Sequence, residues 1–215
     1  MADASIVGAK KIIMGIDPGT NILGYGVVAI FDRKPEYVTM GVLNLKKLKD
    51  HFLILQTITK EVSRLIEQYT PDEMAVEAPF YGKNPQVMLK LGRAQGAAIT
   101  AALIKDIPIH EYAPRSVKLA ITGKGAASKE QVASMVKHIF GIDVEQKYND
   151  ATDALAIALC HHYHTTSPIL KAQETAGARG SDVIQKIKAA SGMRSRSKVG
   201  SWAQFIADNP DRIEK

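Results

Sequence analysis

The hydrophobic pattern of the chain changes period twice. Ile12 to Ile16 is a short apolar run closed by Asp17-Pro18-Gly19, which reads as a buried strand entering a turn. Gly24 to Phe31 reads as a second strand, and Tyr37 to Leu45, with alternating apolar positions, as a third. Three strands on short connections predict an antiparallel meander. From Asp50 the period becomes helical: Leu55, Ile58, Val62, Leu65, Ile66 and Tyr69 share one face, and Thr70-Pro71 ends the run. Met74 to Val76 is a short strand ending at Glu77. The helix that follows, from about Pro85 to Ile104, is thin-surfaced because of Gly92, Ala94, Gly96, Ala97 and Ala98. Ile107 to Tyr112 is a further strand, followed by a helix from about Pro114 to Ile121 and a basic loop, Gly123-Lys124-Gly125, expected to be flexible. Ser128 reads as the N-cap of a helix with Val132, Met135, Val136 and Ile139 on one face, and the last strong helix spans about Asp150 to His162. A meander followed by alternating helices and strands predicts an α/β fold with a mixed sheet.

Beyond Thr165 sustained periodicity stops. The chain therefore divides into an N-terminal extension over 1–10, a folded domain over 11–165 and a basic tail over 166–215. Nine basic and five acidic residues in the tail hold +4 of the chain's net +6. Ala176 to Gly200 is expected to be flexible, and Trp202 to Ile206 is a small apolar patch suited to docking. A sequence pI near 9.3 is compatible with an anionic partner, although basic composition alone does not distinguish a binder from a bystander. Cys160 is the only cysteine, which rules out an intramolecular disulfide and a Cys-rich zinc site. The first residues lack the apolar core of a signal peptide, and the run Gly96 to Ile104 is far short of the ~20 residues that span a bilayer. Cytoplasm is the expected compartment, without membrane attachment.

Three acidic positions fall where a sheet would deliver them to one place. Asp17 ends the first strand, Glu77 ends the fourth, and Asp150 and Asp153 open the last helix on one face, at i and i+3, where both can point at the same ion. Converging carboxylates repel one another unless cations neutralise them. Oxygen-only ligands favour hard ions such as Mg²⁺, and two such ions ~4 Å apart serve phosphodiester hydrolysis. Each residue also has a plainer role. Asp17 can shape its turn, Glu77 can be a surface carboxylate, and Asp150 can cap the helix with Asp153 favouring its dipole. His161, His162 and His164 suit a solvated helix end better than a metal site.

Four ordered blocks resemble those of a known family. Met14-Gly15-Ile16-Asp17-Pro18-Gly19-Thr20 with Gly24-Tyr25-Gly26-Val27 resembles the opening of the RuvC family of bacterial Holliday-junction resolvases, as does Val76-Glu77 with Phe80 and Lys83-Asn84. Leu89 to Gly96 is similar to that family's long helix and Asp150 to Ala158 to its closing helix, so the resemblance covers roughly Lys11 to His164. It implies an RNase H-like fold, a mixed five-stranded sheet with helices on both faces. It also implies that Asp17, Glu77, Asp150 and Asp153 are the catalytic carboxylates and ligands of Mg²⁺, with Mn²⁺ able to substitute and two ions per site. The implied activity is a homodimer making paired symmetric nicks in four-way junction DNA, leaving 5′-phosphate and 3′-hydroxyl ends, in company with the RuvA–RuvB branch-migration complex. Phe80 matches an aromatic beside the junction bases, with Tyr81 as its neighbour. Lys118 and Lys129 match phosphate-contacting positions, and Arg115 and Lys124 extend them into a basic rim. The thin helix fits close packing, either between subunits or on the sheet.

Three other readings compete. An actin-like ATPase shares the sheet and the acidic Gly-Thr turn, but needs two such domains and leaves Asp150 and Asp153 unexplained. A junction-binding scaffold without chemistry gains nothing from four carboxylates that repel phosphate. A more distant nuclease of the same fold, acting on RNA or collapsed junctions, is the nearest rival.

Overall fold

A computed structural model describes residues 6–78, 84–142 and 149–167. The meander comprises β1 (Lys11–Asp17), β2 (Ile22–Phe31) and β3 (Lys34–Asn44). β2 and β3 meet at Asp32 and Arg33, both at positive φ (46° and 75°), a two-residue turn whose twist suits the strands it joins. That tight turn explains why β3 begins before the alternating stretch at Tyr37: Pro35 already pairs with Ile30. After α1 (His51–Tyr69) comes β4 (Glu73–Glu77), then α2 (Pro85–Leu103) and β5 (Ile109–Tyr112). The sheet order is β3-β2-β1-β4-β5, with the meander antiparallel and the β1–β4 and β4–β5 pairs parallel.

The helices end where their caps say. Asp50 accepts hydrogen bonds from the first amides of α1, and Thr70 closes it in the left-handed region. Asn84 caps α2. The last three helices are α3 (Pro114–Thr122), α4 (Lys129–Phe140) and α5 (Asn149–Thr166), and Ser128 and Gln131 form a reciprocal capping box on α4. The Gly123-Lys124-Gly125 segment, expected to be flexible, makes specific contacts at both glycines. Gly123, at φ 72°, closes α3 through a bond to the Leu119 carbonyl, and Gly125 lies against the Arg115 side chain.

Helices cover both faces of the sheet. Ile58 and Val62 of α1 with Ala94 and Ala98 of α2 pack on the side of Met14, Ile16 and Val76. Val117 of α3, Val132 of α4 and Leu155 and Leu159 of α5 pack on the side of Ile13, Val28 and Ala75. α5 is buried all round, without an exposed residue from Ala151 to His162. It lies so close to the sheet that a Cβ on Gly15 would sit 2.0 Å from the Ala154 carbonyl oxygen, and one on Gly24 2.0 Å from that of Asp150. Glycine is required there because helix backbone rests directly on strand backbone.

The three histidines do not form a solvated helix end. The helix continues to Thr166, His161 is fully buried, and His162 is buried with a 3.1 Å hydrogen bond to the Arg33 carbonyl. Burial presses both rings below their ordinary pKa, so they stay neutral and offer the helix dipole no charge. No helix among the described residues is long and apolar enough to cross a membrane. The tail segments around Ala176 to Gly200 and Trp202 to Ile206 lie outside the described residues.

Candidate active site

Parallel pairing of β1 with β4 decides the first half of the site. Ile16 is in register with Val76, so Asp17 and Glu77, one step on, leave the sheet side by side at its carboxyl end. Alternation puts both on the face of Gly15 and Ala75, the face that α5 covers. The second half arrives with α5, whose first turn is held at Gly24 through the Asp150 carbonyl. α5 begins at Asn149, so Asp150 lies inside the first turn rather than at its cap. One carboxylate oxygen each from Asp17, Asp150 and Asp153 lie within 4.8 Å of one another. Glu77 joins Asp17 and Asp153 in a cavity of about 330 Å³ whose walls include Lys118, Lys129, Val117, Val132 and Ile157.

The electrostatics follow from that crowding. Burial, then the negative charges of Glu77 and Asp153, push the Asp17 carboxyl from 3.8 to about 8. Burial and Asp153 likewise raise Glu77, against the lowering pull of Lys129 and Lys118. Lys129 donates a 2.9 Å hydrogen bond to Asp153, which raises its own pKa in turn. Two ammonium groups, those of Lys129 and Lys118, are too few for four carboxylates. A donor set made only of carboxylate oxygens, with Asp17 driven toward its neutral form, fits a hard divalent cation.

The structure separates the basic residues that the sequence groups together. Lys118 and Lys129 line the acidic cavity. Arg115 is exposed on the first turn of α3 and lays its stem on Gly125. Lys124 lines a different groove with Gln131, Met135 and His138. Phe80 and Tyr81 lie outside the described residues. Gln95 was not anticipated. Its buried amide donates 3.0 Å hydrogen bonds to the Glu77 carbonyl and to the Glu111 carboxylate, fixing the end of β4 that carries Glu77. The available signal was a lone amide within the small-residue stripe Ala94 to Ala98.

Comparison with known proteins adds the context. Residues 13–161 match the family described as Crossover junction endodeoxyribonuclease RuvC. A protein of that name from Bacteroides fragilis is 46% identical over 207 residues, covering 95% of this chain and 97% of its own. One from Porphyromonas gingivalis is 44% identical over 206 residues, again covering 95% and 97%. Among solved structures, Thermus thermophilus RuvC in complex with Holliday junction substrate is similar at a TM-score of 0.67 and 33% identity, covering 72% of this chain and 94% of that one. Matches of such length to the two relatives run into the C-terminal tail, which the family match leaves out.

Proposed function

The chain belongs to the RuvC family of crossover junction endodeoxyribonucleases, and from that premise we propose how its acidic cavity cuts a four-way DNA junction. Asp17, Glu77, Asp150 and Asp153 are the catalytic carboxylates and would hold the divalent ions, Mg²⁺ by choice of ligand chemistry, with Mn²⁺ as its substitute. When bound there, such ions would supply a water nucleophile at neutral pH and charge neutralisation at the leaving 3′ oxygen. The observation that carries this reading is the meeting of Asp17, Glu77 and Asp153 with Lys118 and Lys129 at one cavity, with an Asp150 oxygen within 4.8 Å of those of Asp17 and Asp153.

The chain's own residues do the rest. Asp17 gives up its proton as the site is loaded, since a carboxyl held near 8 is largely protonated at pH 7. Lys129 leaves Asp153 and, with Lys118, meets the phosphate beside the scissile bond. Val117, Val132 and Ile157 keep bulk water from one wall, which strengthens the charge interactions inside. Gln95 keeps Glu77 at its station. Phe80 and Tyr81, next along the chain from Glu77, stack on bases opened at the junction, and Arg115 and Lys124 extend the phosphate contacts outward.

Paired nicks require two sites, and a twofold dimer matches a junction of approximate twofold symmetry. α2 offers a face for it. Leu89 and Leu103 are exposed, and between them Gly92 and Gly96 have open space where a side chain would stand. In this reading residues 11–165 are the nuclease domain, with the extension 1–10 and the basic tail 166–215 as additions. The enzyme works in the cytoplasm with the RuvA–RuvB branch-migration complex. The test is a synthetic mobile four-way junction incubated with and without Mg²⁺, both nicks being mapped. Paired symmetric nicks with 5′-phosphate ends are expected. Scattered or single nicks would point to a general nuclease of this fold.

A further inference from the structure

The end of α5 away from the acidic cavity carries a second set of groups with metal-ligand chemistry. Glu73 begins β4, His110 lies on β5 in register with Ala75, and His161 reaches them from α5. One ligand atom from each of the three lies within 4.8 Å of the others. The His110 and His161 rings stack at a centroid separation of 4.3 Å. His161 is fully buried, and its Nε2 meets Glu73 while its Nδ1 is 2.7 Å from the Tyr112 hydroxyl. Lys11 completes the group with a 2.6 Å ion pair to Glu73.

From this convergence we propose that Glu73, His110 and His161 form a binding site for a divalent transition ion of the zinc class, separate from the Mg²⁺ site. The ligand chemistry decides the class. Two imidazoles and one carboxylate suit a borderline ion such as Zn²⁺, whereas Mg²⁺ prefers oxygen alone. Neutral imidazole is the form that binds, and a buried ring is already neutral. Tyr112 supplies the outer support that metal-binding histidines usually have.

The proton balance closes within the site. Glu73 is ionised beside Lys11, so in the metal-free protein His161 carries its proton on Nε2 and accepts from the Tyr112 hydroxyl at Nδ1. The ion takes the place of the Nε2–H on the Glu73 side. The proton is taken up at Nδ1, which then donates to the Tyr112 oxygen. Lys11, with 32% of its side chain exposed, turns toward solvent as the second positive charge arrives. The product is a clamp joining β4, β5 and the last turns of α5.

The experiment uses the full chain stripped of metal and titrated with Co²⁺, then Zn²⁺, in excess Mg²⁺. One equivalent of Co²⁺ should give the strong visible absorption of a four-coordinate nitrogen-containing site, and Zn²⁺ should displace it. The band should persist in the double variant Asp17→Asn with Asp153→Asn and be lost in His110→Gln, whose position is only half-buried. In the wild-type protein, Zn²⁺ should also shift the side-chain ¹⁵N resonances of His110 and His161, a readout that needs no variant. Absence of the band and of both shifts would overturn the proposal, as would a band that survives His110→Gln or disappears with the carboxylate variant.

Discussion

α5 ends in two polar clusters that dock on one face of β1 and β4, and they differ in how far the protein satisfies them. At the first turn, Asp150 and Asp153 face Asp17 and Glu77, and among the described residues Lys129 is the cation in hydrogen-bond contact. At the last turns, His161 faces Glu73, and Lys11 and Tyr112 supply a counter-charge and a hydrogen-bond partner. The pKa directions record the contrast. Asp17 is driven up to about 8 by burial and its neighbours. Burial also presses Glu73 upward, but hydrogen bonds from His161 and Lys11 outweigh it and hold the carboxyl below its ordinary value. The acidic end is unfinished without a cation, whereas the histidine end already has its charges and hydrogen bonds paired in the metal-free protein. A site whose charge the protein leaves unpaired is the one built for an obligatory ligand.

Substitutions can break this contrast. Asp17→Asn or Glu77→Gln should lower junction cleavage by about 10³-fold or more, the several kcal/mol that a metal-assisted site supplies, while mobility-shift binding persists. His110→Gln should cleave within about twofold of wild type. Equal damage from both ends would erase the distinction. Gly15→Ala should rank next, because its methyl group meets the Ala154 carbonyl under the middle of α5. A loss of about 3 kcal/mol in denaturant unfolding is expected, with both clusters impaired together. Gly24→Ala presses on the first turn alone. It should therefore reduce cleavage more than it reduces Tm.

Smaller effects sharpen the electrostatics. In the folded state Asp17 titrates near 8 and in the unfolded chain near 3.8, so between those values the folded protein holds the extra proton. Metal-free stability from this group is therefore full below about pH 4, falls as pH rises and levels off above about 8. Thermal melts in chelator should show Tm dropping across that window, and Asp17→Asn should flatten the slope and raise Tm at pH 8. A steeper slope in the variant would contradict the assignment. Lys129→Ala should change stability by less than about 1 kcal/mol, since Lys129 is itself largely exposed in its ion pair with Asp153. Its effect belongs in junction binding and cleavage, about tenfold in each, measured side by side.

Much of this was legible in the sequence where one residue's neighbours decide its state. Val62 and Leu65 mark the buried face of α1 by spacing alone, and Ser128 announces α4 as its N-cap. The carboxylate set was legible through order: strand ends and a helix start point to one sheet edge. Contacts made across long separations were not. Gly15 and Gly24 read as part of a motif, whereas their reason is the α5 backbone lying against them more than a hundred residues later. His161 was misplaced for a similar cause. Histidines near a helix end usually meet water, but the unbroken apolar run Ala154 to Cys160 signals a helix buried on all sides, and that signal carries His161 inward with it. Lys124 is close in sequence to Lys118 and Lys129 but lines another groove, because α3 ends at Gly123 and the chain turns before α4.

Anomalous scattering from Mn²⁺-soaked crystals of the active enzyme tests the central claim most directly. Peaks bounded by Asp17, Glu77, Asp150 and Asp153, absent in Asp17→Asn crystals grown and soaked alike, are the predicted result. Manganese bound elsewhere, with those four carboxylates bare in an enzyme that still nicks junctions, would contradict it.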